Sequence, residues 1–362
     1  MYKRILKIIT AVFVVLTLVI PATIIKLPGL HERYALAEEI DSNAWEKYLE
    51  ANAAKDADGV APEKIVQDDS TDSGQNRGQL NIQLPSEIKE SDLSLQNDYL
   101  TQTLYVSMDV DTTNYFTDYK IAGSPDHISS MQYYRQGDKG VIAIAMDKVY
   151  EISHTVDEDG LHLDFIDPHD IYDKVIVVDA GHGSRMAGAV RNGIEEKNIN
   201  LDIVLCLKEL LDNYSGDKKI GVYYTRTTDA NPTLQQRAAL ANKVDADLFI
   251  SVHNNSSGSG NFSSAHGTQV LYSQSDTKEL GSKRLAQICL DNVTATTGNS
   301  SFGLLEADDI YIIRTSEAPV ALVEVGFMTN REELDKLSDP TYQKSAAQGI
   351  YNAIMQAFDE GY

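Results

Sequence analysis

KVIVVDAGHGS, residues 174–184, decides the fold. Val175 to Val178 form an unbroken apolar run, too short for a helix, that stops at Asp179 and opens into Gly181, His182 and Gly183. A short apolar run closed by glycines reads as a strand buried on both faces, and such strands belong to parallel sheets covered by helices. Two further runs share the pattern: DLFISV (247–252), which leads into His253, and PVALVEVG (319–326), which carries Glu324. IGVYYTR, GTQVLYS and YIIRT read as additional strands, and helical periodicity predicts helices over 198–213, through LQQRAALANKV, around 278–297 and over 341–358. Residues 174–362 therefore predict an α/β domain, a mostly parallel sheet with helices on both faces. In such sheets the reactive crevice lies outside the carboxyl ends of the strands.

His182, His253 and Glu324 all fall at or near such ends. Alone, each has an ordinary reading: a strand-end histidine hydrogen-bonds a neighbour, and a strand glutamate pairs with an arginine such as Arg226. Three on separate strands point to a site. Two histidines and a carboxylate form the donor set of hydrolytic zinc. GIEEKNINLDI (193–203) offers Glu195 and Glu196 as the carboxylate, and spacing does not choose between them.

VIVVDAGHGS, GIEEKNINLDI, TRTTD, LQQRAALAN, DLFISVHNNS, HGTQVLY and APVALVEVGFMTN together resemble the zinc-dependent N-acetylmuramoyl-L-alanine amidases, over about 174–360. The resemblance implies a Zn2+ held by His182, Glu196 and His253, with Glu324 as catalytic acid/base. The implied reaction is hydrolysis of the amide between N-acetylmuramic acid and L-alanine in peptidoglycan. Asn255 and Arg314 stand as candidate substrate contacts, Arg226 and Arg237 as structural arginines. The segment DAGHGS lacks the family's usual proline and second glycine, and HNN replaces the frequent alanine between His and Asn; neither change removes a ligand. Some relatives carry a helical insertion that blocks the groove, whereas here two strand-helix units account for the chain from Glu196 to His253, which predicts an open site. Two other functions stand as alternatives: a catalytically silent peptidoglycan-binding or regulatory protein that keeps the fold, and a different zinc peptidoglycan peptidase that shares the ligands.

Upstream, residues 91–170 change to a period of two (Leu104, Val106, Met108; Ile142, Ile144, Met146; Leu161, Leu163, Phe165), predicting a small all-β accessory domain with His162 facing solvent. This segment resembles the targeting domains that precede such amidases, which leaves wall or envelope binding and a plain spacer as its roles. Residues 38–90 are acidic and polar and predict a flexible linker. Residues 1–37 hold Lys3, Arg4 and Lys7 ahead of an apolar run from Ile8 to Ile25, and then Ala35-Leu36-Ala37. They predict a signal peptide or an N-terminal membrane anchor, with a membrane tether through residues 5–25 and an extracytoplasmic location at the cell envelope. A net charge of −23 excludes nucleic acid as a partner and gives no bulk attraction to an anionic wall. Cys206 and Cys289 fall in predicted helices and read as buried free thiols.

Overall fold

The computed structural model describes residues 58–60, 78–258 and 261–362. The segment 1–37, with its predicted signal or anchor, lies outside the described residues. Among the described residues no helix is long and apolar enough to cross a membrane.

The N-terminal unit is built from nine strands: β1 (Asp58–Val60), β2 (Leu80–Ile82), β3 (Ser94–Asp98), β4 (Thr103–Met108), β5 (Ile121–Gly123), β6 (Ile128–Gln136), β7 (Lys139–Met146), β8 (Glu151–Asp157) and β9 (Gly160–Ile166). They form two antiparallel sheets, ordered β1-β6-β7-β4-β3 and β5-β2-β9-β8. Leu80, Ile82, Leu104, Val106, Ile142, Ile144, Leu161 and Leu163 pack into one core between them. The period of two has a direct cause here, because alternate side chains of β2, β4, β7 and β9 enter that core. Two strands begin inside the predicted linker: Leu80–Ile82 pairs with both β5 and β9, and Asp58–Val60 pairs with β6. Three-residue strands leave too little alternation to register against polar flanks.

The expectation for His162 is corrected. It does alternate with Leu161 and Leu163, yet it is only 4% exposed. Its ring lies between Asn81, its register partner on β2, and Asp157, 2.8 Å away. The outer face of this central strand is closed by polar neighbours instead of water.

The C-terminal unit is a six-stranded sheet of β10 (Lys174–Ala180), β13 (Ile220–Tyr224), β14 (Leu248–Asn255), β15 (Thr268–Tyr272), β16 (Ser301–Glu306) and β17 (Val320–Phe327), in the order β13-β10-β14-β17-β15-β16. β13, β10, β14 and β17 run parallel; β15 enters antiparallel to β17 and carries β16 parallel to itself. Helices Glu196–Asp212, Ser282–Thr297 and Pro340–Glu360 cover one face, and Leu234–Lys243 with Tyr311–Thr315 cover part of the other. This is the expected mostly parallel sheet with helices on both faces. A hairpin of β11 (Val190–Arg191) and β12 (Ile194–Glu195) precedes the first long helix.

YIIRT, read as a strand, is a short helix, Tyr311–Thr315, that buries the adjacent Ile312 and Ile313. The sixth strand is instead SFGLLE, Ser301–Glu306, at the sheet edge, where both faces are partly exposed and the alternation is lost. Both cysteines are free, Cys289 buried and Cys206 half-buried. Burial pushes the Cys289 thiol up to about 12, so it acts as a small apolar side chain.

Candidate active site

His182 follows the end of β10 with φ +61, a left-handed conformation that costs a non-glycine residue energy unless its surroundings hold it. Two buried arginines provide that hold. Arg226 donates to Ala180 O (2.8 Å) and Gly181 O (2.9 Å), and Arg237 to Ala180 O and His182 O (both 2.8 Å). Arg226 also donates to Thr228 O and Lys197 O, so among the described residues its bonds go to backbone carbonyls. Desolvation, reinforced by the neighbouring Arg237 charge, lowers its pKa to about 10. Beneath the loop, buried Asp179 pairs with Arg237 and accepts from Thr225 Oγ1 (2.5 Å) and Ser251 Oγ (2.6 Å). Burial opposes its charge, but these partners outweigh that and hold its pKa below the ordinary value.

His253 ends the apolar run of β14, and on β17 its register partner is Glu324. Glu196 opens the helix Glu196–Asp212 and turns inward, while Glu195, its N-cap, stays half-exposed with Lys197 3.5 Å away. Oε1 of Glu196 lies 3.2 Å from His182 Nε2 and 3.1 Å from His253 Nδ1. Ligand atoms of His182, Glu196 and His253 all fall within 4.8 Å of one another, the one such group of three among the described residues. The two rings meet edge to face at 4.8 Å.

The space around them is shaped by glycine. A Cβ on Gly181 would overlap the His253 ring, and one on Gly188 would meet both Glu196 and His182. Glu196 is further held by Ala189 N (2.8 Å), Asn254 N (3.1 Å) and Asn200 Nδ2 (3.3 Å). Burial acts against its negative charge, but His182 and His253 overcome it and keep the carboxyl well below the ordinary range. Glu324, 1% exposed, goes the other way: burial and then the charge of Glu196 push it well above, with His182 a partial offset. Two carboxylates driven apart in this way, next to two imidazoles, form an arrangement that can hold a metal beside an acid/base. The donor set and its glycine-cleared surroundings fit a divalent transition metal.

The N-acetylmuramoyl-L-alanine amidase sequence profile matches residues 176–356. An uncharacterized protein YqiI of Bacillus subtilis is 36% identical over 187 residues, 52% of this chain and 86% of its own length. The chain belongs to the N-acetylmuramoyl-L-alanine amidase family. N-acetylmuramoyl-L-alanine amidase LytC of Bacillus subtilis is 34% identical over 185 residues, though these span only 36% of LytC. The solved catalytic domain of CwlV, an N-acetylmuramoyl-L-alanine amidase from Bacillus (Paenibacillus) polymyxa, shares 34% identity and 98% of its length with 51% of this chain, at a TM-score of 0.47. Like its family, this amidase hydrolyses the amide between N-acetylmuramic acid and L-alanine in peptidoglycan.

Both candidate substrate contacts of the amidase are engaged within the protein. Asn255 is 7% exposed and its amide is engaged: Oδ1 accepts from Ser256 N (2.7 Å) and Nδ2 donates to Gln269 Oε1 (3.0 Å). It shapes the loop after His253. Arg314 sits in the short helix ahead of β17, its guanidinium over the Tyr311 ring and Nη1 donating to Asp309 O (2.7 Å). That helix abuts the start of β17, whereas Glu324 and His253 lie toward the far end. The first residues of β17 lie between Arg314 and Glu324 along the chain.

Sequence reasoning missed Asp179, Asn200, Asn254 and Gln269, which brace the cluster. Asp179 carried a usable signal as an acid closing an apolar run, since a carboxylate buried there requires a partner. Asn192-Gly193 was a second: both residues have positive φ (+52 and +80), as the tight turn of the β11–β12 hairpin requires.

Proposed function

We propose that this amidase is zinc-dependent, with His182, Glu196 and His253 as ligands and Glu324 as catalytic acid/base. The observation behind the reading is the convergence of those three ligand atoms within 4.8 Å, with Glu324 in register beside His253. A zinc ion held there supplies a Lewis acid that polarises the amide carbonyl and makes water acidic near neutral pH. Glu324 takes a proton from the attacking water as the carbon–oxygen bond forms. It then passes that proton to the nitrogen of L-alanine as the carbon–nitrogen bond breaks. Its buried carboxyl is suited to holding the proton between the two transfers.

The chain from Glu196 to His253 consists of helix Glu196–Asp212, β13, helix Leu234–Lys243, β14 and their loops. With no inserted helix in that span, we propose a site open without a partner protein, and a purified chain inactive until a partner is added would overturn this. We place its action at the cell envelope, outside the cytoplasm, on the strength of the substrate and the apolar run after three early cations.

The test is zinc content and release of L-alanine amino termini from purified peptidoglycan, for the full chain beside Glu324→Gln and His253→Ala. The parent should hold about one zinc. Glu324→Gln should keep the metal and lose roughly 10²- to 10⁴-fold in rate. His253→Ala should lose both. A parent that binds wall without cutting it is a silent binder, and release of a different amino terminus is the mark of a peptidase.

A further inference from the structure

Arg191 stands beside the cluster and the reaction above makes no use of it. It lies on β11, directly before the Asn192-Gly193 turn, and pairs in register with Ile194. The two positive-φ residues make this a tight hairpin with little freedom. Its two ends are tied to the site: Ala189 N donates to Glu196 Oε2, and Glu196 N donates to Ala189 O (2.9 Å). From the hairpin the Arg191 side chain reaches across to the loop after His253, where Nη2 donates to Ser256 Oγ (3.0 Å). The guanidinium thus spans two of the loops that bear the predicted ligands.

Its bonding is incomplete. Nη1 donates to its neighbour's carbonyl, Val190 O (2.6 Å), and Nε is buried without a hydrogen-bond partner among the described residues. Both acceptors found are neutral, and no ion pair to Arg191 occurs among the described residues. The other cations around the site are satisfied within the protein: Arg237 pairs with Asp179, Lys197 lies 2.8 Å from Asp229, and Arg226 donates to four backbone carbonyls. In a chain with 54 acidic and 31 basic residues, a cation held away from carboxylates at the rim of a site is set up for an anion from outside.

We propose that Arg191 is a specificity-determining residue that binds a carboxylate of the peptidoglycan stem peptide. The inference rests on the amidase reading, because the stem peptide is the leaving group of that reaction. A guanidinium fixed by a hairpin loses little freedom on gaining such a partner, so the contact acts on substrate binding more than on the chemical step.

Bulk electrostatics predicts the opposite sign, which makes the experiment decisive. A chain of net charge −23 is repelled by wall carboxylates, so converting them to carboxamides should tighten binding unless a specific cation reads them. The full chain is assayed on peptidoglycan before and after amidation of its carboxylates with carbodiimide and ammonia. For the parent, KM should rise roughly tenfold on the amidated wall, with kcat held within about twofold. Arg191→Gln should show that raised KM on both walls, and Arg191→Lys should recover part of the difference. Ser256→Ala, which removes the neutral partner only, should keep the discrimination. Equal KM of the parent on both walls overturns the proposal. So does a loss of kcat in Arg191→Gln and Ser256→Ala alike, which marks a brace between loops. A parent that frees no L-alanine amino termini from either wall overturns the amidase reading itself.

Discussion

Asp179 controls the site without entering it. Its carboxylate is wholly buried, and Arg237, which it pairs with, also pins the His182 carbonyl. Asp179→Asn leaves Arg237 buried without its counter-charge, so a loss of about 3–5 kcal/mol is expected in urea unfolding at neutral pH. The pH dependence has a definite sign. The folded pKa of Asp179 lies below its ordinary 3.8, so its contribution is complete above that value and is lost as pH falls through the folded pKa. The gap between parent and variant should therefore narrow below about pH 4, and a gap that stays constant into acid would assign the effect to packing. Gly181→Ala makes a different demand: its Cβ overlaps the His253 ring, so metal content should fall while far-UV circular dichroism is unchanged. At this scale His182, His253 and Glu324 were legible because strand ends flanked by glycine or embedded in apolar residues stand out in one dimension. Glu196 was separable from Glu195 only through the resemblance, since adjacent acids differ by which way the first helical turn faces. Asn200, Asn254 and Gln269 were illegible because their role is mutual, Asn254 Nδ2 donating to Asn200 Oδ1 at 2.8 Å across 54 residues of chain.

Elements transmit such local contacts over longer distances. Helix Leu234–Lys243 begins with a reciprocal cap, in which Gln236 N donates to Thr233 Oγ1 (3.1 Å) and Thr233 N to Gln236 Oε1 (2.9 Å). Arg237 follows directly on the same first turn, so the cap also sets the guanidinium that holds the His182 loop. Thr233→Ala should cost about 1 kcal/mol in stability. It should also weaken metal retention in a chelator titration, and an unchanged chelator midpoint would confine the cap to its own helix. The elements legible in sequence were those with a sustained period: buried strands as apolar runs, long helices with an apolar face. Tyr311–Thr315 misled because its β-branched pair, Ile312 and Ile313, is buried by a one-turn helix, where neighbours in the fold override strand preference. Ser301–Glu306 was missed for the converse reason, since an edge strand with Phe302 and Leu305 exposed leaves no clean alternation to read.

At the scale of the whole molecule the β-rich unit and the amidase sheet share a core. Val149 is buried with Val175, Val177, Tyr223 and Leu240, and its N–H donates to Lys243 O (3.0 Å). Glu151 accepts from Tyr99 Oη (3.0 Å) and from Tyr223 Oη (2.6 Å), joining one phenol from each unit, and the two rings meet edge to face at 5.0 Å. Desolvation and the Glu151 charge raise the pKa of both phenols far above neutrality, so both remain donors wherever the enzyme works. Lys243 closes the helix that carries Arg237, which connects the joint through one element to the His182 loop. A joint of this kind couples unfolding: the parent should melt in one calorimetric transition. Val149→Asp introduces an unpaired carboxylate into the shared core, where burial opposes its charge. It should split the trace into two transitions, and the α/β transition should move to lower temperature than in the parent. A single unshifted transition would show that the units fold independently and that the accessory unit contributes nothing to the site's stability.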